Sequence, residues 1–252
     1  GYLKESGGNK VNAIKPHYTT ADLEKCINVW PTYGVTSVNA MDAEKADSVT
    51  LKQEAELKSQ GRLNVRQFIS ISPDSSEKDI KALKNRFNTD MTRVTSFKLF
   101  MDGVGSVYTA SMLEPYKDTD TCGPDPYYTS EQIKAYAVKA NKYGLVMHIH
   151  TCGNKAIRTA LDGYQLAKAA GVKLSPKFSI EHCDTTDPAD LPRPAKLGIS
   201  CSVTPDFLAP TSNWSDNPYI MVYDKAVANE LWRYHSLYKY GNVTFGTDGY
   251  CS

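Results

Sequence analysis

The chain alternates two patterns of apolar and polar positions from about residue 19 onward. Short runs rich in β-branched and aromatic residues, typical of buried strands, are separated by longer stretches in which apolar residues recur at helical spacing. A helix is expected before each strand, which indicates a chain built from repeated helix–strand units. Seven runs are predicted to be strands, at residues 35–40, 63–71, 94–100, 145–150, 178–182, 199–203 and 242–248.

Local signals indicate where several of these helices begin. Thr19 and Thr129 each stand three residues before an acidic or amide side chain that can complete a capping box. Asp187 is followed by a proline, a pairing typical of a helix N-terminus. Near the end of the chain, one continuous helix is predicted for about 223–240.

The order of elements predicts an α/β fold of the (β/α)₈ TIM-barrel type, with seven of the eight strands in this chain. Residues 1–252 are expected to form a single partial barrel domain, because no shift of composition marks a boundary. A doubly wound sheet is the alternative. Against it, no glycine-rich phosphate turn follows a strand, and polar residues end at least four strands, where barrel enzymes assemble their active sites. The long irregular stretch 102–128 is of a kind that usually carries function or is disordered, and 206–219 is a second irregular loop.

Composition argues against several classes of partner. Lysine plus arginine number 29 against 28 acidic residues, and a net charge of +1 attracts neither nucleic acid nor an anionic membrane. No apolar run approaches the about 18 residues that cross a bilayer, and the first eight residues lack a secretory apolar core, which favours a cytoplasmic protein. The six cysteines contain no C-x-x-C pair, and most are expected to be buried thiols.

Ionisable side chains gather where the predicted strands end. Lys98 lies in an otherwise apolar strand, and a buried lysine must be paired, neutralised or modified. His148 and His150, two apart on one strand, face the same side, while His182 and Asp248 end two later strands. Imidazole nitrogens and a carboxylate are the donors of a hydrolytic metal site. The ordinary alternatives are a strand-end lysine that reaches solvent and core histidines bonded to carbonyl groups.

A series of short motifs runs through nearly the whole chain. They are Gly1-Tyr2-Leu3-Lys4-Glu5; Tyr33-Gly34-Val35-Thr36-Ser37-Val38; Phe97-Lys98-Leu99-Phe100-Met101-Asp102-Gly103 with Tyr108-Thr109-Ala110 and Leu113-Glu114-Pro115-Tyr116; His150-Thr151-Cys152-Gly153-Asn154-Lys155-Ala156; Ile180-Glu181-His182-Cys183; and Phe245-Gly246-Thr247-Asp248. Each motif is short, but their number and order make the series specific. The series resembles the metal-dependent amidohydrolase superfamily, and within it the YtcJ-like branch that includes the N-substituted formamide deformylases.

The resemblance implies a role for each strand-end residue. Lys98 would be the metal ligand from strand four, with a carbamate formed from carbon dioxide as one form of its amine. His150 would be the ligand from strand five and His182 the ligand from strand six, with an imidazole also stabilising the oxyanion. Asp248, on strand eight, would hold the metal-bound water and shuttle its proton to the leaving nitrogen. The implied cofactor is one or two divalent ions, with zinc as the expected metal.

The resemblance also implies where the substrate binds and what it is. The loop between residues 102 and 116 would shape the pocket, so that Asp102, Tyr108 and Tyr116 are predicted substrate contacts together with His148. The expected substrate is a small molecule of the amide type. The expected reaction is hydrolysis of a non-peptide C–N bond, in an amide, formamide or cyclic amide, through a metal-activated water.

Two departures from the family pattern change the picture. Gly153, Asn154 and Lys155 follow His150 where the family usually has Gly-Asp-Arg, which removes a carboxylate from that turn. The family's first strand carries an H-x-H pair, and no such strand precedes Gly1. The chain is therefore expected to hold strands two to eight of a longer polypeptide, completed by another polypeptide segment or within a homo-oligomer.

Two rival functions stay open on the sequence. A noncatalytic barrel fragment could act as a binding module, with the ligand residues as relics, and the absent H-x-H pair and the altered turn favour this alternative. Metal content discriminates it from a hydrolase. A metal-free barrel enzyme acting on sugars or phosphates would need basic residues on the last two loops, and the sequence does not provide them there.

Overall fold

The computed structural model describes residues 18–208 and 217–249 together with Val11 and Ile14. Within these residues, seven strands form a single sheet. The strands are β1 (Ser37–Glu44), β2 (Arg66–Ile71), β3 (Thr92–Phe100), β4 (Val146–Thr151), β5 (Ser179–His182), β6 (Ser200–Val203) and β7 (Val243–Phe245). All seven correspond to predicted strands, with ends that differ by a few residues.

Helices precede the strands as the alternating pattern predicts. The side chains of Thr19 and Thr129 accept the main-chain N–H groups of Asp22 and Gln132, whose side chains bond back, so both predicted capping boxes are confirmed. The α-helices are α1 (Thr20–Ile27), α2 (Val49–Ser59), α3 (Glu77–Arg86), α4 (Ser130–Lys142), α5 (Asn154–Ala169), α6 (Arg193–Leu197), α7 (Pro218–Met221), α8 (Lys225–Ala228) and α9 (Tyr234–Tyr240). Short 3₁₀ turns lie at Trp30–Tyr33, Gly105–Val107 and Pro205–Leu208.

The sheet is an incomplete barrel. Every pair of neighbouring strands is parallel, and the spatial order β1-β2-β3-β4-β5-β6-β7 is the order along the chain. A doubly wound sheet would reverse its strand order at a switch point, so this sequential order confirms the barrel-type prediction. Among the described residues, no strand pairs with the outer edge of β1 or of β7.

The two faces of the central strands differ in chemistry. Phe97, Leu99 and Met147 belong to the main hydrophobic cluster between the sheet and its helices. The residues between them, including Ser96 and Lys98, face the barrel interior, where Ser96 Oγ lies 2.7 Å from the hydroxyl of Ser70 on β2. The period-two alternation therefore places apolar side chains on the helix side and polar side chains on the interior side.

Two predicted helices were wrong. The stretch 223–240 contains α8 and α9 rather than one helix, because Trp232 takes a left-handed conformation (φ 51°) and donates its N–H to the carbonyl of Asp184. No helix starts at Asp187. Its carboxylate accepts the N–H of Ala189 in a short turn, and α6 begins only at Arg193.

Three further expectations concern residues outside the described part of the chain, a membrane span and the cysteines. The motif at residues 1–5 and the 209–216 part of the second irregular stretch lie outside the described residues. No helix in the described part of the chain combines the length and the apolar character that a membrane span needs. Cys152, Cys183 and Cys201 are buried and unbridged, and Cys122 is a partly buried free thiol, as expected for most of the cysteines.

Candidate metal and catalytic site

The strand register aligns the predicted site residues in two layers of the barrel interior. In the lower layer, Lys98 on β3 pairs with His148 on β4. In the upper layer, His150 on β4 pairs with Glu181 on β5. Because parallel strands carry side chains of paired residues on the same face, both layers point into the barrel near the carboxyl ends of the strands. This confirms the prediction that His148 and His150 share a face.

His150 presents one nitrogen as an acceptor. Its Nε2 lies 3.1 Å from the carbonyl oxygen of Gly103, and a carbonyl can only accept, so Nε2 carries the proton and Nδ1 keeps a lone pair. Burial and, after it, the positive charge of Lys98 lower the pKa of His150 to about 4. The imidazole is therefore neutral near pH 7, as a metal ligand must be.

His182 lies against His150. The two ring centroids are 4.6 Å apart in an edge-to-face arrangement. His182 Nδ1 lies 3.3 Å from the hydroxyl of Thr204 and 4.0 Å from Oδ2 of Asp248. Burial, with the nearby His150 and Lys98, holds the pKa of His182 well below its usual range. Two neutral imidazoles thus stand together at the ends of adjacent strands.

Asp248 reaches the same place from beyond the end of β7. It takes a left-handed conformation (φ 46°), and its side chain remains about half exposed. Burial raises its pKa, while the positive charge of Lys98 lowers it and Glu181 raises it. The carboxylate therefore lies between solvent and His182, within electrostatic reach of Lys98.

Lys98 is 5% exposed and lies inside the barrel. Its Nζ lies 5.0 Å from the centre of the Phe100 ring. Burial lowers the pKa of Lys98, and the carboxylates of Glu181 and Asp248 oppose that shift. The alternative of a strand-end lysine that reaches solvent does not agree with this position.

Glu181 is a member of the interior cluster that the sequence reasoning did not select. It accepts a hydrogen bond from the hydroxyl of Ser179, and its Oε1 lies 3.6 Å from His148 Nδ1, which is also 2.6 Å from the Ser179 hydroxyl. Burial raises its pKa, but the hydrogen bond with His148 and the charge of Lys98 outweigh burial and bring the pKa to about 2. The only available signal was an acidic residue at a period-two position of β5. His148 lies in this network, and its contact with substrate stays a prediction.

Asp102 is fixed by the main chain. Its carboxylate accepts the N–H groups of Ser111 (2.9 Å), Cys152 (3.0 Å) and Gly153 (2.8 Å), which ties the loop after β3 to the turn after β4. Burial raises the pKa of Asp102 to about 7, against the lowering effect of these three donors. Within the described residues, Asp102, His150 and Cys152 offer ligand atoms that all lie within 4.8 Å of one another, which those of His150, His182 and Asp248 do not, so this group is a rival metal site. Three donors to one carboxylate favour the structural role.

The predicted aromatic contacts lie at different depths of the same loop. Tyr116 is buried, donates its hydroxyl to the carbonyl of Ala110 and stacks on Tyr223 with ring centroids 5.3 Å apart. Tyr108 packs edge-to-face on Tyr116 at 5.1 Å and is 37% exposed. The loop is thus held by its own tyrosines, and contacts of Tyr108 and Tyr116 with substrate stay predictions.

Asp184, two residues after His182, is a second group that sequence reasoning missed. Its Oδ1 accepts the indole N–H of Trp232 at 3.2 Å, while its buried Oδ2 accepts no N–H or O–H group from the part of the chain that the structure describes. Burial raises the pKa of Asp184 to about 7, and Asp248 contributes to the rise. The one sequence feature that could have indicated Asp184 is its position directly after His182 and Cys183, just beyond the end of a predicted strand.

The donor set fits a divalent ion. The fold gathers two neutral imidazoles, the carboxylate of Asp248 and the interior amine of Lys98 at one rim, and nitrogen and oxygen donors of this kind suit zinc and similar ions. His150 also donates a hydrogen bond from Nε2 to the carbonyl oxygen of Gly103, and metal-ligating histidines typically make such a bond with their second ring nitrogen.

Comparison with known proteins defines the class. The model of the Amidohydrolase family (Amidohydro_3) matches residues 2–252, so the chain belongs to this family. The structure is similar to an uncharacterized metal-dependent hydrolase from Pyrococcus furiosus, with a TM-score of 0.78 and 26% identity over 97% of this chain and 50% of that chain.

Two curated proteins are also similar. The chain is 26% identical over 229 residues to the exoenzymes regulatory protein AepA of Pectobacterium carotovorum subsp. carotovorum, covering 85% of this chain and 46% of that protein. It is 30% identical over 141 residues to protein LONG AFTER FAR-RED 3 of Arabidopsis thaliana, covering 56% of this chain and 24% of that protein. The chain thus spans half or less of the length of these relatives.

Proposed function

We propose that the protein is a metal-dependent hydrolase that cleaves a non-peptide C–N bond in a small amide, formamide or cyclic amide. The observation that carries the proposal is the apposition of His150 and His182, 4.6 Å between ring centroids, with Asp248 4.0 Å from His182. Membership of the Amidohydrolase family and the similarity to a metal-dependent hydrolase support the reaction class. The YtcJ-like relationship remains part of this proposal.

Lys98, His150 and His182 would hold the divalent ion, with zinc proposed as the metal and Asp248 beside it. When bound, such an ion lowers the pKa of water and polarises a carbonyl group. The neutral state of the two imidazoles, which burial maintains, leaves their lone pairs available for the ion at neutral pH. A carbamate on Lys98 would add an anionic oxygen pair to this donor set.

The proton transfers are assigned to Asp248. Its carboxylate takes a proton from the attacking water and returns it to the leaving nitrogen, so that amide and water become a carboxylic acid and an amine. Its pKa, raised by burial, suits a group that must both accept and release a proton. His182, within reach of Asp248, would position that carboxylate in addition to holding the ion.

Replacement of Asp248 tests the catalytic assignment. We expect Asp248→Asn to keep most of the bound metal and to lower turnover of an N-aryl formamide, an anilide or a hydantoin by about 10²-fold or more, because the base is lost. Metal analysis by mass spectrometry and product assays on the zinc-loaded protein provide the two measurements. Activity equal to that of the wild type would exclude Asp248 as the base.

The ligand assignment is tested by comparing two neighbouring side chains. We expect His182→Asn to weaken zinc binding by about 100-fold or more, whereas Cys152→Ser leaves it within a few-fold of the wild type. If Cys152→Ser instead loses the metal and His182→Asn retains it, the ion is held by the group of Asp102, His150 and Cys152. A wild-type protein that binds no zinc after reconstitution would support the noncatalytic binding module.

A further inference from the structure

A buried carboxylate oxygen without an N–H or O–H donor lies beside the candidate metal site. Asp184 is 2% exposed, and its Oδ1 accepts the indole N–H of Trp232 at 3.2 Å. Within the described residues, its Oδ2 accepts no N–H or O–H group, and the weakly donating thiol of Cys152 is the side chain beside the carboxyl group. Buried carboxylate oxygens nearly always have such a donor, so an oxygen that the protein leaves with at most a thiol points to a stronger donor supplied from outside.

The backbone around Asp184 holds the carboxyl group in one position. His182 (φ 70°), Cys183 (φ 56°) and Trp232 (φ 51°) all take left-handed conformations that residues with side chains seldom adopt. The N–H of Trp232 also donates to the carbonyl of Asp184 at 2.7 Å. Such conformations persist only where the surrounding structure enforces them, and they cluster at functional sites.

The position of Asp184 is close to the proposed chemistry. The Cys152 thiol lies next to its carboxyl group, and the sulfur is 3.5 Å from His150 Nε2. Tyr219 packs edge-to-face on Trp232, with 5.8 Å between ring centroids, and Tyr219 is only partly buried. An aromatic pair therefore extends outward from the carboxyl group, on the side of the barrel where the metal ligands end.

The charges around Asp184 favour a cationic donor. Asp102 and Asp248 both lie within electrostatic reach of Asp184. Among the described residues, no lysine or arginine forms an ion pair with Asp184. Arg158 pairs with Asp187 and Asp190, and Arg233, next to Trp232 in the chain, pairs with Glu230. A group of acidic side chains beside aromatic rings attracts an ammonium ion through both charge and the ring faces.

We propose that Asp184 Oδ2 binds a primary ammonium group carried by the substrate, in a subsite walled by Trp232 and Tyr219. This inference rests on the proposed function, because it assigns the substrate class as amides that bear a second, basic amine. Asp184 would select among amides by pairing with that amine, while the C–N bond is cleaved at the neighbouring rim.

Binding of a small probe tests the subsite without any turnover. Benzylamine, which is protonated near neutral pH, and its neutral counterpart benzyl alcohol are titrated calorimetrically into the zinc-loaded protein. We expect Asp184→Asn to weaken benzylamine binding by about tenfold or more and to leave benzyl alcohol unchanged, because a charge-assisted hydrogen bond is lost. Asp90→Asn removes the same charge from an exposed position just before β3, at the opposite end of the barrel, and should bind both probes like the wild type.

Equal benzylamine affinities of Asp184→Asn and the wild type would overturn the proposal, as would equal losses in the Asp90→Asn control. A crystal structure of the wild type with benzylamine provides a measurement that does not depend on the folding of a variant. The proposal requires the amine nitrogen within hydrogen-bond distance of Asp184 Oδ2, and an ordered water there with the amine elsewhere contradicts it. Neither measurement involves hydrolysis. If the protein binds benzylamine through Asp184 but turns over no amide, the hydrolase assignment fails while the proposed subsite stands.

Discussion

The loop after β3 and the turn after β5 each bury one carboxyl group at the same rim of the barrel, with different partners. Asp102 and Asp184 are equally inaccessible, at 2% exposure each. Asp102 accepts three main-chain N–H groups, whereas Asp184 accepts one indole N–H, and its second oxygen accepts no N–H or O–H group among the described residues. The number of donors, rather than burial, therefore distinguishes the carboxylate that fixes the main chain from the one that we propose binds a ligand.

Glu54 on α2 extends the comparison to the edge of the sheet. Its Oε2 is buried and has no hydrogen-bond partner among the residues that the structure describes, and its acidic neighbours Glu44 and Asp42 repel its negative charge. Burial first, and then these two neighbours, raise the pKa of Glu54 to about 8. The three carboxyl groups therefore differ in their hydrogen-bond donors. Asp102 accepts three N–H groups, Asp184 accepts one, and Oε2 of Glu54 accepts none among the described residues and faces two acidic side chains.

The largest effect on the free energy of unfolding is expected at Asp102, which has the most hydrogen-bond donors. Asp102→Ala should lower the free energy of unfolding by about 4 kcal/mol, because three buried N–H groups lose a charged acceptor. Urea unfolding followed by circular dichroism measures the change. Asp102→Asn, which keeps one acceptor oxygen, should lose roughly half as much. A loss below about 1 kcal/mol in Asp102→Ala would show that the three hydrogen bonds contribute little to stability.

The next effect depends on pH and concerns Glu54. Since the folded-state pKa of about 8 lies above the ordinary 4.5, the folded state binds the proton more tightly, and wild-type stability falls as pH rises from 4.5 to 8. Glu54→Gln removes this loss, so it should be more stable than the wild type by about 2–4 kcal/mol at pH 9 and nearly equal to it at pH 4. Urea unfolding across this pH range measures both curves. If the stability of the wild type and of Glu54→Gln changed with pH in the same way, the pKa of Glu54 would not be raised, and its carboxyl group would be solvated or hydrogen-bonded.

The smallest effect is expected at the single hydrogen bond of Asp184. Trp232→Phe should lower the free energy of unfolding by about 2 kcal/mol, because it removes the N–H that Oδ1 accepts. A double-mutant cycle with Asp184→Ala, which removes the acceptor oxygen, isolates that bond, with an expected coupling energy of about 1 kcal/mol. Additive effects, within about 0.3 kcal/mol, would indicate that the indole contributes by packing alone.

Much of the fold follows from local pattern. The seven strands and both capping boxes were predictable because period-two apolar runs and three-residue cap spacing depend on neighbouring residues only. The face shared by His148 and His150 was predictable for the same reason. The break between α8 and α9 was not, because it depends on a contact between Trp232 and Asp184, which lie 48 residues apart.

The candidate site was predictable only in part. Lys98, His150, His182 and Asp248 stand at strand ends, and a parallel barrel brings all strand ends to one rim, so topology alone places them near each other. The pairing of Glu181 with His148 and Ser179 depends on the register between β4 and β5, which no local signal specifies. For Asp184, the lack of an N–H or O–H donor to Oδ2 among the described residues depends on tertiary contacts, which the sequence does not specify.

The alternation along β4 links the chemistry of the site to the alignment of the sheet. If β4 slipped by one residue relative to β3, His148 and His150 would turn toward the helices, and Met147 and Ile149 would replace them inside the barrel. Charged Lys98 and Glu181 would then face apolar side chains, while imidazoles entered the hydrocarbon layer beneath α4 and α5. The polar interior therefore favours one alignment of the strands, because a shifted alignment would bury unpaired charges and would also separate the residues of the candidate site.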